Sequence, residues 1–184
     1  MTLLSRGSCC ALRKPYPQHA IRTTQHATHN SLLFIAYGNT LRRDDGAGLA
    51  LAEKLLPMLR AQGIRLELIT IQQLTPELAF DIANPDLAGV YFFDTAAEPH
   101  ALGIQVQPVG LSQGTPVLGH HLIPSALLLY AKQLFGLCPP AWLVTIPGYD
   151  FELGEGFSPT TASYLANVTP LAQKLIQLPT QVDR

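Results

Sequence analysis

The most constraining feature of this sequence is an apolar run that leads into an acidic turn and then into a segment with helical periodicity. Residues 32–37 are all apolar, as expected of a strand that is buried on both faces. The turn at residues 38–48 carries Asp44 and Asp45, and residues 46–59 place their apolar side chains on one helical face. Phosphate-binding turns at such a position are rich in glycine and present backbone N–H groups to an anion. This turn presents negative charge instead, which argues against a dinucleotide-binding fold and favours a site for a cation, a proton or a metal centre.

Strand and helix patterns alternate along the rest of the chain. The order implies a largely parallel sheet covered on both faces, because parallel strands need helical crossovers. We therefore predict a single three-layer α/β domain with a twisted, mostly parallel sheet of about five strands and helices on both faces. The further strands are predicted at residues 65–71, 89–93, 103–109 and 142–146, and the further helices at residues 75–82, 124–137 and 160–178.

Composition limits the class of protein further. The 184 residues are 47% apolar and carry a formal charge of −1, which suits one globular domain and gives no electrostatic case for a nucleic-acid partner. No apolar run approaches the roughly 18 residues that a membrane-spanning helix needs. The three cysteines, Cys9, Cys10 and Cys138, form no CxxC pair, so we predict a reduced, cytoplasmic compartment without disulfides or a cysteine-based zinc site.

Residues 1–30 differ from the remainder of the chain. They contain no Asp or Glu, show no apolar periodicity and include Arg6, Arg13, Lys14 and Arg22. Arg-rich, acid-poor segments of this kind are also typical of cleaved targeting peptides. We favour a disordered N-terminal extension over residues 1–30, followed by the α/β domain over residues 31–184.

Several polar side chains follow the predicted strands at the edge where functional groups gather in open parallel sheets. Asp44 and Asp45 come after the first strand, Asp94 directly follows the third, and His120 and His121 precede a predicted helix. Carboxylate oxygens together with an imidazole nitrogen suit a borderline divalent metal such as nickel or zinc. We expect these side chains to meet in one pocket.

Each of these residues also has a purely structural interpretation. Asp44 is expected to be the N-cap of the following helix, because Asp is a favoured cap and suits the positive end of the helix dipole. Two adjacent caps are not needed, which leaves Asp45 as the functional candidate. Asp94 could instead start a turn, and a histidine before a helix is more often structural than a metal ligand. Gly38 and Asn39 are expected to shape the tight turn.

The sequence also resembles a known enzyme family. The similarity to the [NiFe]-hydrogenase maturation endopeptidases begins with the motif Gly38-Asn39-x-Leu41-x-x-Asp44-Asp45-Gly46-x-Gly48 on an apolar strand. It continues through Phe92-Phe93-Asp94, through His120 or His121 with the Leu-rich helix that follows, and to Phe157-Ser158-Pro159. The resemblance covers residues 31 to about 178.

This resemblance implies an α/β peptidase that removes a short C-terminal extension from the hydrogenase large-subunit precursor after nickel insertion. It implies that Asp45 and Asp94 are the catalytic residues and that both contact the nickel, which the precursor delivers, together with one histidine. Alignment of the Leu-rich helix favours His120 as that ligand, whereas a His-x-x-Pro spacing to Pro124 favours His121 as the alternate. The implied partner is the large-subunit precursor, and we expect a monomer.

Other functions stay open at this level. A non-catalytic nickel-sensing or metal-handling module could use the same fold. A peptidyl-tRNA hydrolase also has a Gly-Asn turn, but the lack of a basic surface excess speaks against it. The hydrolytic route is open between a metal that polarises the scissile carbonyl or activates a water, and an aspartate that acts as general base.

Overall fold

The computed structural model describes residues 31–97, 103–111 and 122–178, which form a five-stranded sheet with helices on both faces. A short 3-10 helix, Arg43–Gly46, precedes the first α-helix. The strands are β1 (Ser31–Tyr37), β2 (Arg65–Ile71), β3 (Leu87–Ala96), β4 (Gln105–Pro108) and β5 (Ala141–Pro147). The helices are α1 (Ala47–Arg60), α2 (Leu78–Ile82), α3 (Pro124–Phe135), α4 (Pro159–Ala166) and α5 (Thr169–Gln177).

The strand order singles out one edge of the sheet. The order is β2-β1-β3-β5-β4, and every neighbouring pair is parallel except β4 and β5, which are antiparallel. After β2 the chain passes over β1 and pairs β3 on its other side, so the connections that follow β1 and β3 diverge. In open parallel sheets a crevice forms outside the carboxyl ends of the strands at such a point. The topology therefore selects the ends of β1 and β3 as the place for a site.

The central strands are buried on both faces, which is why their sequences are almost continuously apolar. On one face, Phe34, Tyr91 and Phe93 pack in a cluster with α1, α4 and α5. On the other face, Ile35 and Phe92 pack in a cluster with α2 and α3. The predicted fold class, a three-layer α/β domain with a mostly parallel sheet of five strands, is confirmed.

Several elements differ by a few residues from their predicted extent, and two of the differences change the interpretation. The single helix predicted at residues 160–178 is two helices, α4 and α5. Pro170 separates them, because it has no N–H to continue the hydrogen-bond ladder and its ring would clash with the carbonyl four residues earlier. β3 continues to Ala96, so Asp94 lies within the strand, opposite Thr145 of β5, and does not start a turn.

Among the described residues, no helix is both long and apolar enough to cross a bilayer. Cys138 has a free, half-buried thiol. The predicted N-terminal extension, with Cys9 and Cys10, lies outside the described residues.

Candidate functional site

A cleft of about 840 Å³ opens at the carboxyl ends of β1 and β3. Its walls come from the turn after β1, the segment after β2, the end of β3 and the segment that leads into α3. The residues that line it include Tyr37, Asn39, Arg42, Asp45, Gln72 and Asp94. The cleft thus contains both carboxylates that the sequence analysis selected as functional candidates.

The backbone of the turn after β1 places Asp45 at the cleft wall. Gly38 has a φ of 143°, and a Cβ there would lie 2.1 Å from the Asp45 carbonyl oxygen, so the turn requires glycine. The Asn39 side-chain oxygen accepts a hydrogen bond from the Leu41 N–H at 3.0 Å, and the Asn39 N–H donates to Asp45 Oδ2 at 2.9 Å. The described residues give Asp45 Oδ1 no hydrogen bond. The roles predicted for Gly38 and Asn39 are confirmed, and one oxygen of Asp45 is available to a ligand.

Asp94 is held by two donors. Its Oδ1 accepts the Thr95 N–H at 2.8 Å, and the Tyr37 hydroxyl donates a hydrogen bond to the same carboxylate. Burial raises the pKa of Asp94, the two hydrogen bonds lower it, and the nearby charge of Asp45 raises it further, so that the pKa lies above its ordinary value. Burial and the charge of Asp94 also raise the pKa of Tyr37, so this hydroxyl stays protonated and remains a donor. The two carboxylates therefore share one electrostatic environment.

The start of α1 packs directly against β3. A Cβ on Gly48 would lie 3.0 Å from backbone atoms of Asp94, and a Cβ on Gly46 would lie 3.0 Å from Thr40 Cα. The Gly48 N–H is in the first turn of the helix and so has no partner within it. It donates to Thr95 Oγ1 at 3.1 Å. Thr95 therefore caps α1 from a neighbouring strand, and the residue before the helix makes no side-chain cap bond.

Asp44 is fully buried and holds a distant segment, so the N-cap role predicted for it is wrong. Its Oδ1 accepts the Ser158 N–H at 2.7 Å. Its Oδ2 accepts the N–H groups of Tyr149 and Asp150 at 2.8 and 3.0 Å, and the hydroxyls of Ser158 and Thr161 at 2.6 and 2.9 Å. Burial by itself would raise the pKa of Asp44, but the hydrogen bonds from Ser158, Tyr149 and Asp150 outweigh it and lower the pKa to about 2. The helix needs no carboxylate, since it is capped from β3.

Backbone contacts hold the same segment, residues 148–158, which we name the anchored loop. The Arg43 N–H donates to the Gly154 carbonyl at 3.1 Å, and the Gly154 N–H donates to the Leu41 carbonyl at 2.9 Å. The Arg43 guanidinium forms an ion pair with the Asp150 carboxylate. Together with the hydrogen bonds to the buried Asp44 carboxylate, these contacts fix the anchored loop beside the turn that forms the cleft wall.

The structure brings together two of the predicted site residues. Asp45 and Asp94 line one cleft, whereas His120 and His121 lie outside the described residues, and so does the choice between them. The cleft wall reaches Leu122, the next residue in the sequence. Within the part of the chain that the structure describes, no group of three His, Cys, Asp or Glu side chains is placed to hold a metal ion.

Several residues that line the cleft were not predicted from the sequence, among them Tyr37 and Arg42. Tyr37 was treated only as the last apolar residue of its strand, although a hydroxyl at the carboxyl end of a parallel strand lies where sites form. Arg42 lines the cleft, and its Nε donates to the Phe151 carbonyl at 3.2 Å. Exposed arginines are common, so the sequence offered no signal that would select this one.

Solved structures of three hydrogenase maturation proteases are similar to this chain. The endopeptidase HybD from E. coli is 18% identical, with a TM-score of 0.57, and the match covers 83% of this chain and 93% of HybD. The protease HycI from Thermococcus kodakarensis is 20% identical, with a TM-score of 0.60 and coverages of 82% and 93%. The hydrogenase 2 maturation peptidase from Thaumarchaeota archaeon SCGC_AB-539-E09 is 18% identical, with a TM-score of 0.52 and coverages of 80% and 99%. No protein-family model and no curated protein matches the chain.

The sheet order and the cleft define an α/β protein with its candidate site outside the carboxyl ends of parallel strands. More narrowly, the chain has the fold of the hydrogenase maturation endopeptidases, over nearly the whole length of HybD and HycI. The fold implied by the resemblance in sequence is thus confirmed.

Proposed function

We propose that this protein is an endopeptidase that removes the C-terminal extension of a [NiFe]-hydrogenase large-subunit precursor after nickel has been inserted. One observation carries the proposal: Asp45 and Asp94 line a single cleft in a protein with the maturation-protease fold. The fold by itself would not be sufficient support, because one fold can host many activities and function resides in the site.

The cleft has the size and the chemistry for a peptide segment and a cation. Its volume of about 840 Å³ falls within the range of roughly 300–1,000 Å³ that is typical of ligand sites. Gln72 and Gln73 supply amide groups that can donate to and accept from a peptide backbone. Leu122, Ile123 and Leu143 supply apolar surface for side chains of the peptide.

Nickel is part of the substrate in this proposal. Carboxylate oxygens and an imidazole nitrogen suit nickel. Asp45 and Asp94 are each oriented by their own hydrogen-bond donors, and this leaves acceptor capacity on both carboxylates for a cation. We propose His120, with His121 as the alternate, as the nitrogen ligand, because both precede the cleft residue Leu122. A precursor without nickel would lack this central contact, so cleavage would depend on nickel loading.

Two hydrolytic routes use the aspartates differently. In the first, Asp45 and Asp94 hold the precursor's nickel, which polarises the scissile carbonyl. In the second, Asp94 accepts a proton from the water that attacks the scissile carbonyl and gives it to the leaving amine as the C–N bond breaks. The rise of its pKa makes the ionised carboxylate a stronger base than an exposed aspartate. The Tyr37 hydroxyl keeps the Asp94 carboxylate in position in both routes.

The test is release of the C-terminal peptide from nickel-loaded precursor, measured by mass spectrometry with the full-length protein. Asp45→Asn and Asp94→Asn should each lower the cleavage rate at least about a hundredfold, because the aspartates contact the substrate or its nickel. Asp86→Asn is the matched control, since Asp86 is exposed and precedes β3 at the opposite end of that strand. His120→Ala and His121→Ala, measured separately, should identify the ligand by loss of cleavage.

Several outcomes would count against the proposal. Unchanged cleavage by either aspartate variant would remove that residue from the mechanism. Cleavage of nickel-free precursor would contradict the dependence on nickel. Binding of the nickel-loaded precursor without peptide release would support the non-catalytic nickel-sensing module instead.

A further inference from the structure

We propose that Leu41 and Leu153 form an apolar ridge beside the cleft that docks the folded body of the protein substrate while its C-terminal extension lies in the cleft. We name this pair the leucine ridge. The inference rests on the proposed function, because it requires a protein substrate whose cleaved end enters the cleft.

Both leucines are highly exposed. Leu41 is 60% exposed and Leu153 is 80% exposed. Other residues of the turn have structural roles: Gly38 and Asn39 shape the backbone, and Asp44 anchors a loop. The Leu41 side chain, in contrast, is mostly exposed and packs little against the rest of the protein. Single exposed leucines are normal on protein surfaces, whereas contiguous exposed apolar surface can mark a site of protein interaction.

The leucines lie on neighbouring segments at the edge of the cleft. A parallel bridge pairs Arg42 with Gly154, so the backbone at Leu41 runs beside the backbone at Leu153. The Gly154 N–H donates to the Leu41 carbonyl at 2.9 Å, and Arg42 lines the cleft. The leucine ridge is therefore continuous with the cleft wall.

The anchored loop, which carries Leu153, is held at several points. Five hydrogen bonds from the anchored loop and α4 converge on the buried Asp44 carboxylate, and Arg43 pairs with Asp150. The loop is thus prevented from rearranging to bury Leu153. A surface that is already ordered loses little conformational entropy when a partner covers it, which makes its apolar area effective in binding.

The position of the leucine ridge, outside the cleft, indicates that a folded protein and not a short peptide would cover it. A peptide confined to the cleft would leave Leu41 and Leu153 uncovered, because neither residue lines it. A protein substrate whose C-terminal extension lies in the cleft must pass over the edge of the cleft. Its folded part then faces the surface beside the cleft, where the leucine ridge lies. Ile123, which lines the cleft and is 54% exposed, extends the apolar character to the mouth of the cleft.

The experiment compares wild type with the double variant Leu41→Ser/Leu153→Ser, by kcat and KM for nickel-loaded precursor. We expect KM to rise about tenfold, with kcat unchanged to within about twofold, because the variant loses docking area and no group of the cleft. Leu134→Ser is the matched control: Leu134 is 70% exposed on α3 and lies about 15 Å along the helix from the cleft residue Pro124. Its KM should equal that of the wild type.

The outcomes separate this inference from the proposed function. Wild-type protein that does not cleave the precursor refutes the proposed function and with it the ridge. Cleavage by wild type with an unchanged KM in the double variant overturns the ridge alone. An equal rise of KM in the Leu134→Ser control also overturns the leucine ridge, because the loss of any exposed leucine would then raise KM. If the double variant does not fold, the two single variants are measured in the same way, and an unchanged KM in both overturns the proposal.

Discussion

The Asp44→Asn variant should lose a large part of the protein's stability although the side chain keeps its size. The native carboxylate accepts five hydrogen bonds in a fully buried position. An amide has one acceptor oxygen, and its NH₂ group is a donor that would face other donors. At Oδ1 the facing donor is the Ser158 N–H, and at Oδ2 there are four donors. Either orientation of the asparagine leaves at least one of these donors without an acceptor.

The size of the loss follows from the pKa and from the unsatisfied donors. The fall of the Asp44 pKa from 3.8 to about 2 means that folding favours the charged carboxylate by roughly 2.5 kcal/mol over the protonated one. An unsatisfied buried donor costs about 1–3 kcal/mol. We therefore expect the free energy of unfolding at pH 7 to fall by roughly 3–5 kcal/mol in Asp44→Asn, a large fraction of the stability of a typical domain.

The pH dependence has a definite sign. Because the pKa of Asp44 is lower in the folded than in the unfolded state, the folded protein binds fewer protons at pH values between the two. The contribution of Asp44 to stability is therefore complete above the unfolded pKa of about 4 and is lost as the pH falls through about 2. Asparagine does not titrate, so the stability difference between wild type and variant should shrink as the pH falls from 5 towards 2.

Urea unfolding followed by circular dichroism at pH 7, 5, 4 and 3 measures this difference. Asp86→Asn is the control, because Asp86 is exposed and its replacement should leave the free energy of unfolding at pH 7 unchanged. A difference below about 1 kcal/mol at pH 7, which is the size of a lost helix cap, would refute the anchoring role of Asp44. So would a large difference that does not change with pH. Full stability with lost cleavage would mean that Asp44 and Asp45 have exchanged roles.

Two further predictions concern the contacts around Asp94. Tyr37→Phe removes a hydrogen bond that lowers the Asp94 pKa, so the acid limb of the pH–cleavage profile should shift to higher pH, and an unmoved limb would contradict this contact. Gly48→Ala places a Cβ 3.0 Å from the Asp94 backbone and should lower the free energy of unfolding by about 1–3 kcal/mol in a urea titration. The comparison is Gly110→Ala, where a Cβ meets nothing within 4 Å, and equal effects of the two substitutions would exclude the close approach of α1 and β3.

Much of the fold could be predicted because its causes are local. The apolar run at residues 32–37 indicates a doubly buried strand, and its alternation with helical patterns implies a parallel sheet. The roles of Gly38 and Asn39 could also be predicted, since a positive φ and an Asx turn depend on a few neighbouring residues. The joint position of Asp45 and Asp94 follows from the rule that the carboxyl ends of parallel strands meet at one edge.

The anchoring role of Asp44 could not be predicted in this way. Local rules assign an aspartate that precedes a helix to its N-cap. The donors that converge on Asp44 come from residues 105 to 117 positions further along the chain, and the cap of α1 comes from Thr95 on another strand. Neither contact leaves a trace in the periodicity of the sequence.

By itself, the sequence determined the class of fold, the conformation of the turn after β1 and the edge of the sheet at which carboxylates would gather. These follow from side-chain periodicity and backbone preference, which act over a few residues. Only the tertiary structure decided that Asp44 is an anchor, that Tyr37 holds Asp94 and that Leu41 stands exposed beside Leu153. Those arrangements depend on which distant segments the strand order brings into contact, and hydrogen bonds and burial between such segments exist only once the chain has folded.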